Sequence, residues 1–149
     1  GAKFQYAPPV HGKKAKRGNA RPSCYPNCAG AILTDANFKG ALLGGANLTD
    51  TNLYNANLSE ATLSQAHLND ANLYKANLTI AYMWGANLSR ANLFKANLSR
   101  ANMIGAILAN ANLYRTNLTG ANLTDAYMTG AIFCITTMPD GSINNPNCR

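Results

Sequence analysis

NLYKANLTIAYMWGANLSRANLFKANLSRANM, residues 72–103, returns to one short phrase every five residues: Ala, most often Asn, then Leu or Met. A period of five suits neither an α-helix, with 3.6 residues per turn, nor a flat strand, whose side chains alternate between faces. Within each unit the small and the large apolar residue stand two apart, which is strand spacing, so both point to one side. The next small residue comes three positions later, where a straight strand would turn it outward. The chain keeps its apolar residues together only by bending once per unit. Bends of one sense wind it into a coil, with Leu along the axis and Ala where a bulkier side chain would collide.

Outward from this stretch, the phrase runs without a gap from a unit centred on Leu33 to one centred on Phe133, 21 units in all. The small residue departs from Ala only at Thr51 and Thr116. The variable positions set the size of the coil. Tyr54, Tyr74, Phe94 and Tyr114 recur at intervals of 20, as do Lys75, Lys95 and Arg115. Four units per coil, a square section, would align them; three per coil would scatter them over different sides. With coils ~4.8 Å apart, like neighbouring strands, about five coils give a rod roughly 25 Å long. Corner positions hold Gly40, Gly45, Gly85, Gly105, Gly120 and Gly130, with Asn55 and Asn110. These residues accept positive φ, so type II turns are predicted at least there. The unbroken column Asn37, Asn57, Asn77, Asn97 and Asn117 is predicted to form an amide ladder along the stack.

On these units, residues 31–135 resemble the pentapeptide-repeat family, whose pattern is A-(D/N)-L-x-x. The resemblance implies an all-β solenoid, a right-handed four-sided β-helix; the handedness comes from the resemblance and not from the spacing. The expected organisation is a basic, disordered tail at 1–22, a cysteine-containing N-terminal cap at 23–30, the β-helix at 31–135 and a C-terminal capping tail at 136–149.

Of 149 residues, 47% are hydrophobic and 13% charged, and the formal net charge is +7. Most of the excess lies in Lys3, Lys13, Lys14, Lys16, Arg17 and Arg21, leaving a nearly neutral body. The basic segment reads as a solvated tail, with an anionic-membrane or nucleic-acid anchor as the alternative. No apolar run reaches the length of a transmembrane helix. The chain begins Gly-Ala-Lys, and a leader is expected to have been removed.

Cys24 and Cys28 precede the first unit, while Cys134 and Cys148 follow the last. The two pairs stand at opposite ends of the expected rod, and a disulfide needs Cα atoms within about 7 Å. Cys24–Cys28 and Cys134–Cys148 are therefore the expected bridges, with free thiols or a four-cysteine zinc site as the other readings. Disulfides imply an oxidising compartment. Lumenal and periplasmic members of the family exist, and the closing stretch MPDGSINNPNC resembles the tails of cyanobacterial ones, which points to the thylakoid lumen or periplasm.

A convex, regular rod offers no cleft in which catalytic groups converge. His11 lies in the tail, and His67 takes the place of an outward Asn. No enzyme activity, cofactor or metal is expected. Tyr74, Lys75, Phe94, Lys95, Tyr114 and Arg115 form adjoining aromatic and cationic columns, with Arg90 and Arg100 near their borders. Such columns read first as protection of a sheet face, and alternatively as a docking surface for an anionic or acidic protein partner. A nucleic-acid partner is not expected. Tyr82, Trp84 and Ile104, with Ile80 nearby, make an apolar patch of the kind that marks contacts. The expected function is a non-enzymatic structural or protein-interaction module, a monomer or an end-to-end or face-to-face dimer. The alternative, a DNA-mimicking inhibitor of DNA gyrase as in some family members, needs an acidic surface that this chain lacks.

Overall fold

The computed structural model describes residues 21–148, so the basic tail expected at 1–22 lies, up to residue 20, outside the described residues. The bends that the five-residue period demands are all made in the same way. Every fifth residue from Gly30 to Ile135 has φ between about +50° and +77°. The small residue after each corner up to Gly130 donates its N–H back to the carbonyl of the preceding centre, as from Ala76 to Leu73 at 2.9 Å. A positive φ at the third of four residues is the type II geometry. Glycine and asparagine were the corner residues expected to take it, yet Asp35, Glu60, Lys75 and even Ile80 hold it too. At Gly130 a Cβ would also meet the end of the Asn110 side chain one coil below, which would have to swing aside.

Four such bends bring the backbone over its own start. Parallel bridges join residues twenty apart, from Asn27–Asn47 to Asn117–Thr137. The centres from Leu33 to Leu118 are fully buried along the axis, with the Ala residues beside them. Thr51 and Thr116, which replace Ala, are also buried. Their hydroxyls donate to the carbonyls of Leu48 and Leu93, both at 2.7 Å, so the polar atom is not left unpaired.

The hydrogen bonds account for all five backbone N–H groups of a typical unit. In the unit around Leu73, Leu73 donates to Asn92 and Lys75 to Phe94 in the next coil, and Ala76 closes the corner. Asn72 donates to Thr51 in the coil before. The fifth donor, Tyr74 N–H, has no carbonyl to meet and is accepted by the Asn72 side-chain oxygen at 3.1 Å. The asparagine of the repeat thus completes the accounting that a half-buried backbone requires.

This assignment corrects the expected ladder. In the column Asn37, Asn57, Asn77, Asn97 and Asn117 no amide–amide bond runs between coils among the described residues. The oxygen of Asn57, Asn77 and Asn117 accepts instead from the hydroxyl of Ser59, Thr79 and Thr119 two residues on. The ladder forms in another column, where Asn72, Asn92 and Asn112 each donate to the asparagine twenty residues earlier at 3.3–3.4 Å. There the residue two on is Tyr or Phe, and the asparagine amide turns along the stack.

The ends are closed differently. Residues 26–30 already bond to the coil above, Cys28 to Asn47 and Gly30 to Thr49. At the other end β1 (Thr136–Thr137) pairs antiparallel with β2 (Ile143–Asn144). Beyond β2, the side-chain oxygens of Asn145 and Asn147 accept from Ile135 and Phe133, where a further coil would have supplied carbonyls. Cys24 is bonded to Cys28 and Cys134 to Cys148, with Cα separations of 5.0 and 4.8 Å.

If the asparagine oxygen is the acceptor for the fifth donor, Asn92→Ala lowers the unfolding free energy by about 1 kcal/mol. Ile107→Asn, which offers Ala109 N–H an acceptor that Ile107 cannot, leaves stability unchanged or raises it. Urea unfolding monitored by circular dichroism distinguishes the two, and equal losses in both variants would refute the assignment.

Candidate functional site

Residues just after each centre lie at the end of a flat side, and corner residues project from the edge beyond it. Because coils stack in register, like residues twenty apart make columns. Tyr54, Tyr74, Phe94 and Tyr114 form one, with successive ring centroids 5.3, 5.1 and 4.9 Å apart. Tyr54, outside the expected surface, belongs to this stack. Tyr74 and Phe94 lie within 10° of parallel. The adjoining corner carries Lys75, Lys95 and Arg115, whose charged groups sit 5.4, 5.3 and 5.7 Å from the centroids of Tyr74, Phe94 and Tyr114. Each ring face attracts its cation. All six residues of the expected partner surface are thus brought together, with the rings half-buried and the cations exposed.

The same corner begins with the opposite sign, where the Asn55 amide donates to the Asp35 carboxylate at 2.7 Å. On the corner at the far end of the aromatic side, Arg90 grips Asp70 with two bonds, Nε to Oδ1 at 2.8 Å and Nη2 to Oδ2 at 2.9 Å. Arg90 therefore does not add free charge to the cationic columns, although its border position is as expected. Lys39 approaches Glu60 at 3.6 Å. Among the described residues, Lys75, Lys95 and Arg115 have no such anionic neighbour.

The apolar patch lies elsewhere. Tyr82 and Trp84 are about half exposed on one side, with Ile104 half-buried one coil above Trp84. The structure adds Leu42 to that side, and Ile107 and Tyr127 around the next corner. That corner carries Gly45, Gly85 and Gly105, with Gln65 and Asp125 in the same column, so in the coils of Gly85 and Gly105 little side chain separates the two sides. In a four-sided coil, corners ten residues apart are diagonal. The glycine corner at 85 and 105 is therefore diagonal to the cationic corner at 75, 95 and 115. Grouping residues by twenty would have found Ile107 and Tyr127 in the sequence, since both flank that corner.

His67 is exposed and lines an open polar groove with Pro26, Asn27, Asn47, Thr49 and Asn69. No group of three or more His, Cys, Asp or Glu residues is placed to hold a metal ion among the described residues. No helix among them is long and apolar enough to cross a membrane.

Comparison with known proteins agrees with this geometry. The family model described as pentapeptide repeats matches in eight copies, over segments 31–70, 56–93, 71–108 and 96–133. A pentapeptide repeat protein, Rfr23, from the cyanobacterium Cyanothece 51142 is 34% identical, over 71% of this chain and 86% of that one, with a TM-score of 0.70. HetL of Nostoc, involved in heterocyst differentiation regulation, is 35% identical, over 79% and 60% of the two chains, with a TM-score of 0.37. A pentapeptide repeat protein of the Arabidopsis thaliana thylakoid lumen is 34% identical, over 67% and 63%, with a TM-score of 0.32. No curated protein matches the chain.

The Asp70–Arg90 pair gives the surface a titratable feature. The hydrogen bonds from Arg90, and then its charge, hold the Asp70 carboxyl below the ordinary carboxylate range. A carboxyl depressed in the folded state stabilises it above the unfolded value, and that contribution fades as pH falls through the folded value. An NMR titration of Asp70 should show a lowered midpoint in the native protein and an ordinary one in Arg90→Gln. Identical midpoints in both would show that the pair does not persist in solution.

Proposed function

From the premise that the chain belongs to the pentapeptide-repeat family, we propose that it is a non-enzymatic interaction module whose cationic, aromatic-backed edge receives an acidic protein partner. The observation that carries this reading is the unneutralised column Lys75, Lys95 and Arg115, each cation held beside its own ring. Three like charges on successive coils repel one another, and cation–π attraction offsets only part of that cost. An acidic partner relieves the remainder and gains electrostatic steering.

The supporting scaffold is read as 21 consecutive units in about five coils, flanked by a cap at 23–30 and a tail at 136–149, with residues 1–22 a basic extension. The bridges between residues twenty apart support that division. The two cysteine pairs support an oxidising compartment, the thylakoid lumen or periplasm, as the working environment. Both bridges fasten an end of the rod, where an unpaired edge would otherwise invite association.

Partner recovery from a lumenal extract by the native rod and by a Lys75→Glu, Lys95→Glu, Arg115→Glu variant tests the surface. Specific partners are expected to be lost from the variant, and unchanged recovery of every partner would remove the cationic edge from the function. Thiol counting under denaturing, non-reducing conditions is expected to find no free cysteine. Four free thiols in protein isolated from its own compartment would end the argument for an oxidising one.

A further inference from the structure

The cationic edge carries a spacing as well as a sign. Resting on the reading that it receives an acidic protein, we propose that the partner presents an α-helix lying along the rod axis, with acidic residues in one stripe at i, i+4 and i+7.

The pitch of the column decides between partner conformations. Tyr74, Phe94 and Tyr114 follow one another at 5.1 and 4.9 Å, and each cation keeps nearly the same distance from its ring. Lys75, Lys95 and Arg115 therefore advance by about 5 Å per coil, the spacing of stacked strands. A helix returns a side chain to one face every ~5.4 Å, so over two steps its stripe drifts from the column by ~0.8 Å, well within side-chain reach. An extended chain returns a side chain every ~6.7 Å and drifts by more than ~3 Å, which carries its third carboxylate past Arg115, the last cation of the column, toward Ile135.

The rings narrow the choice further. The faces of Tyr74 and Phe94 are turned to each other at a centroid separation that leaves no slot for a planar guest. Beside Lys75 and Lys95 a base or a sugar ring meets the edges of this stacked pair, whereas single-stranded nucleic acid draws its affinity from stacking on open aromatic faces. The edge can still offer cations and the apolar rims of the rings. A helix with a carboxylate stripe flanked by apolar residues is complementary to both.

Fluorescence anisotropy with three labelled synthetic peptides of equal charge tests this. The first is an Ala- and Gln-based helix with Glu at i, i+4, i+7 and i+11. The second disperses the same Glu residues around the helix. The third places Glu at alternate positions in a proline-interrupted, extended chain. The striped helix is expected to bind the native rod about tenfold more tightly than either isomer, with an affinity that falls as salt rises. Lys75→Asn, Lys95→Asn and Arg115→Asn combined should abolish this preference, while Arg100→Asn on the neighbouring corner should retain it. Asparagine keeps the corner foldable, since Asn55 holds the same corner at φ 57°, and circular dichroism checks the fold.

Equal binding of the striped and extended peptides would overturn the helix while leaving the acidic-partner reading in place. Failure of every acidic peptide to bind would overturn both. A single-stranded oligonucleotide of equal charge binding more tightly than the striped helix would replace the protein partner with nucleic acid. Unchanged binding by the triple Asn variant would place the contact off this edge.

Discussion

A chain that turns after every five residues has to hold one residue of each unit in left-handed backbone, and this protein does so whether the residue is Gly, Asp, Lys or Ile. For residues with a Cβ that conformation costs about 1–2 kcal/mol each. The return is structural. With the corner at φ near +60°, its N–H points at the carbonyl of the residue nineteen positions on, as from Asp35 to Tyr54 at 2.9 Å. From Gly30 to Gly120 each corner thus closes its own turn and ties two stretches of chain together. The strain at any corner is offset by hydrogen bonds that repeat along the stack and by burial of a Leu or Met just before it.

Stacking in register converts a linear interval of twenty into vertical adjacency. Every surface property of the rod is a column, because neighbours above and below a residue matter more than neighbours in sequence. Aromatic rings at successive positions come into contact, and cations at successive corners become neighbours. Acid twenty before base becomes an ion pair, as for Asp70 and Arg90. Asparagine has two partners on offer, the backbone two residues on and the amide one coil away. Asn57 accepts from the Ser59 hydroxyl that follows it, while Asn92, followed by Phe94, donates along the stack to Asn72.

A square section also sets which surfaces oppose one another. The cationic corner and the glycine corner are diagonal, so a partner gripping Lys75, Lys95 and Arg115 leaves Tyr82, Trp84 and Tyr127 uncovered on the far side. The two functional readings of the surface are therefore compatible in space. The charged edge has the chemistry of steered, salt-sensitive recognition, while the other is an exposed apolar surface.

The sequence by itself determined the coil length, the buried centres and the membership of each column. All of these follow from a period, and Tyr74 with Phe94 or Leu73 with Ala71 declare it without reference to any neighbour in space. The pairing of Cys24 with Cys28 and of Cys134 with Cys148 was legible for the same reason, since a rod keeps its ends apart. Only the tertiary structure decided that Asn72 rather than Asn77 builds the amide ladder. It also decided that Arg90 is consumed by Asp70 while Lys95 is not. The physical reason is competition: each of these outcomes depends on which of several donors and acceptors reaches hydrogen-bond distance first, and that is a property of packed side chains, whereas a period records only which residues share a face.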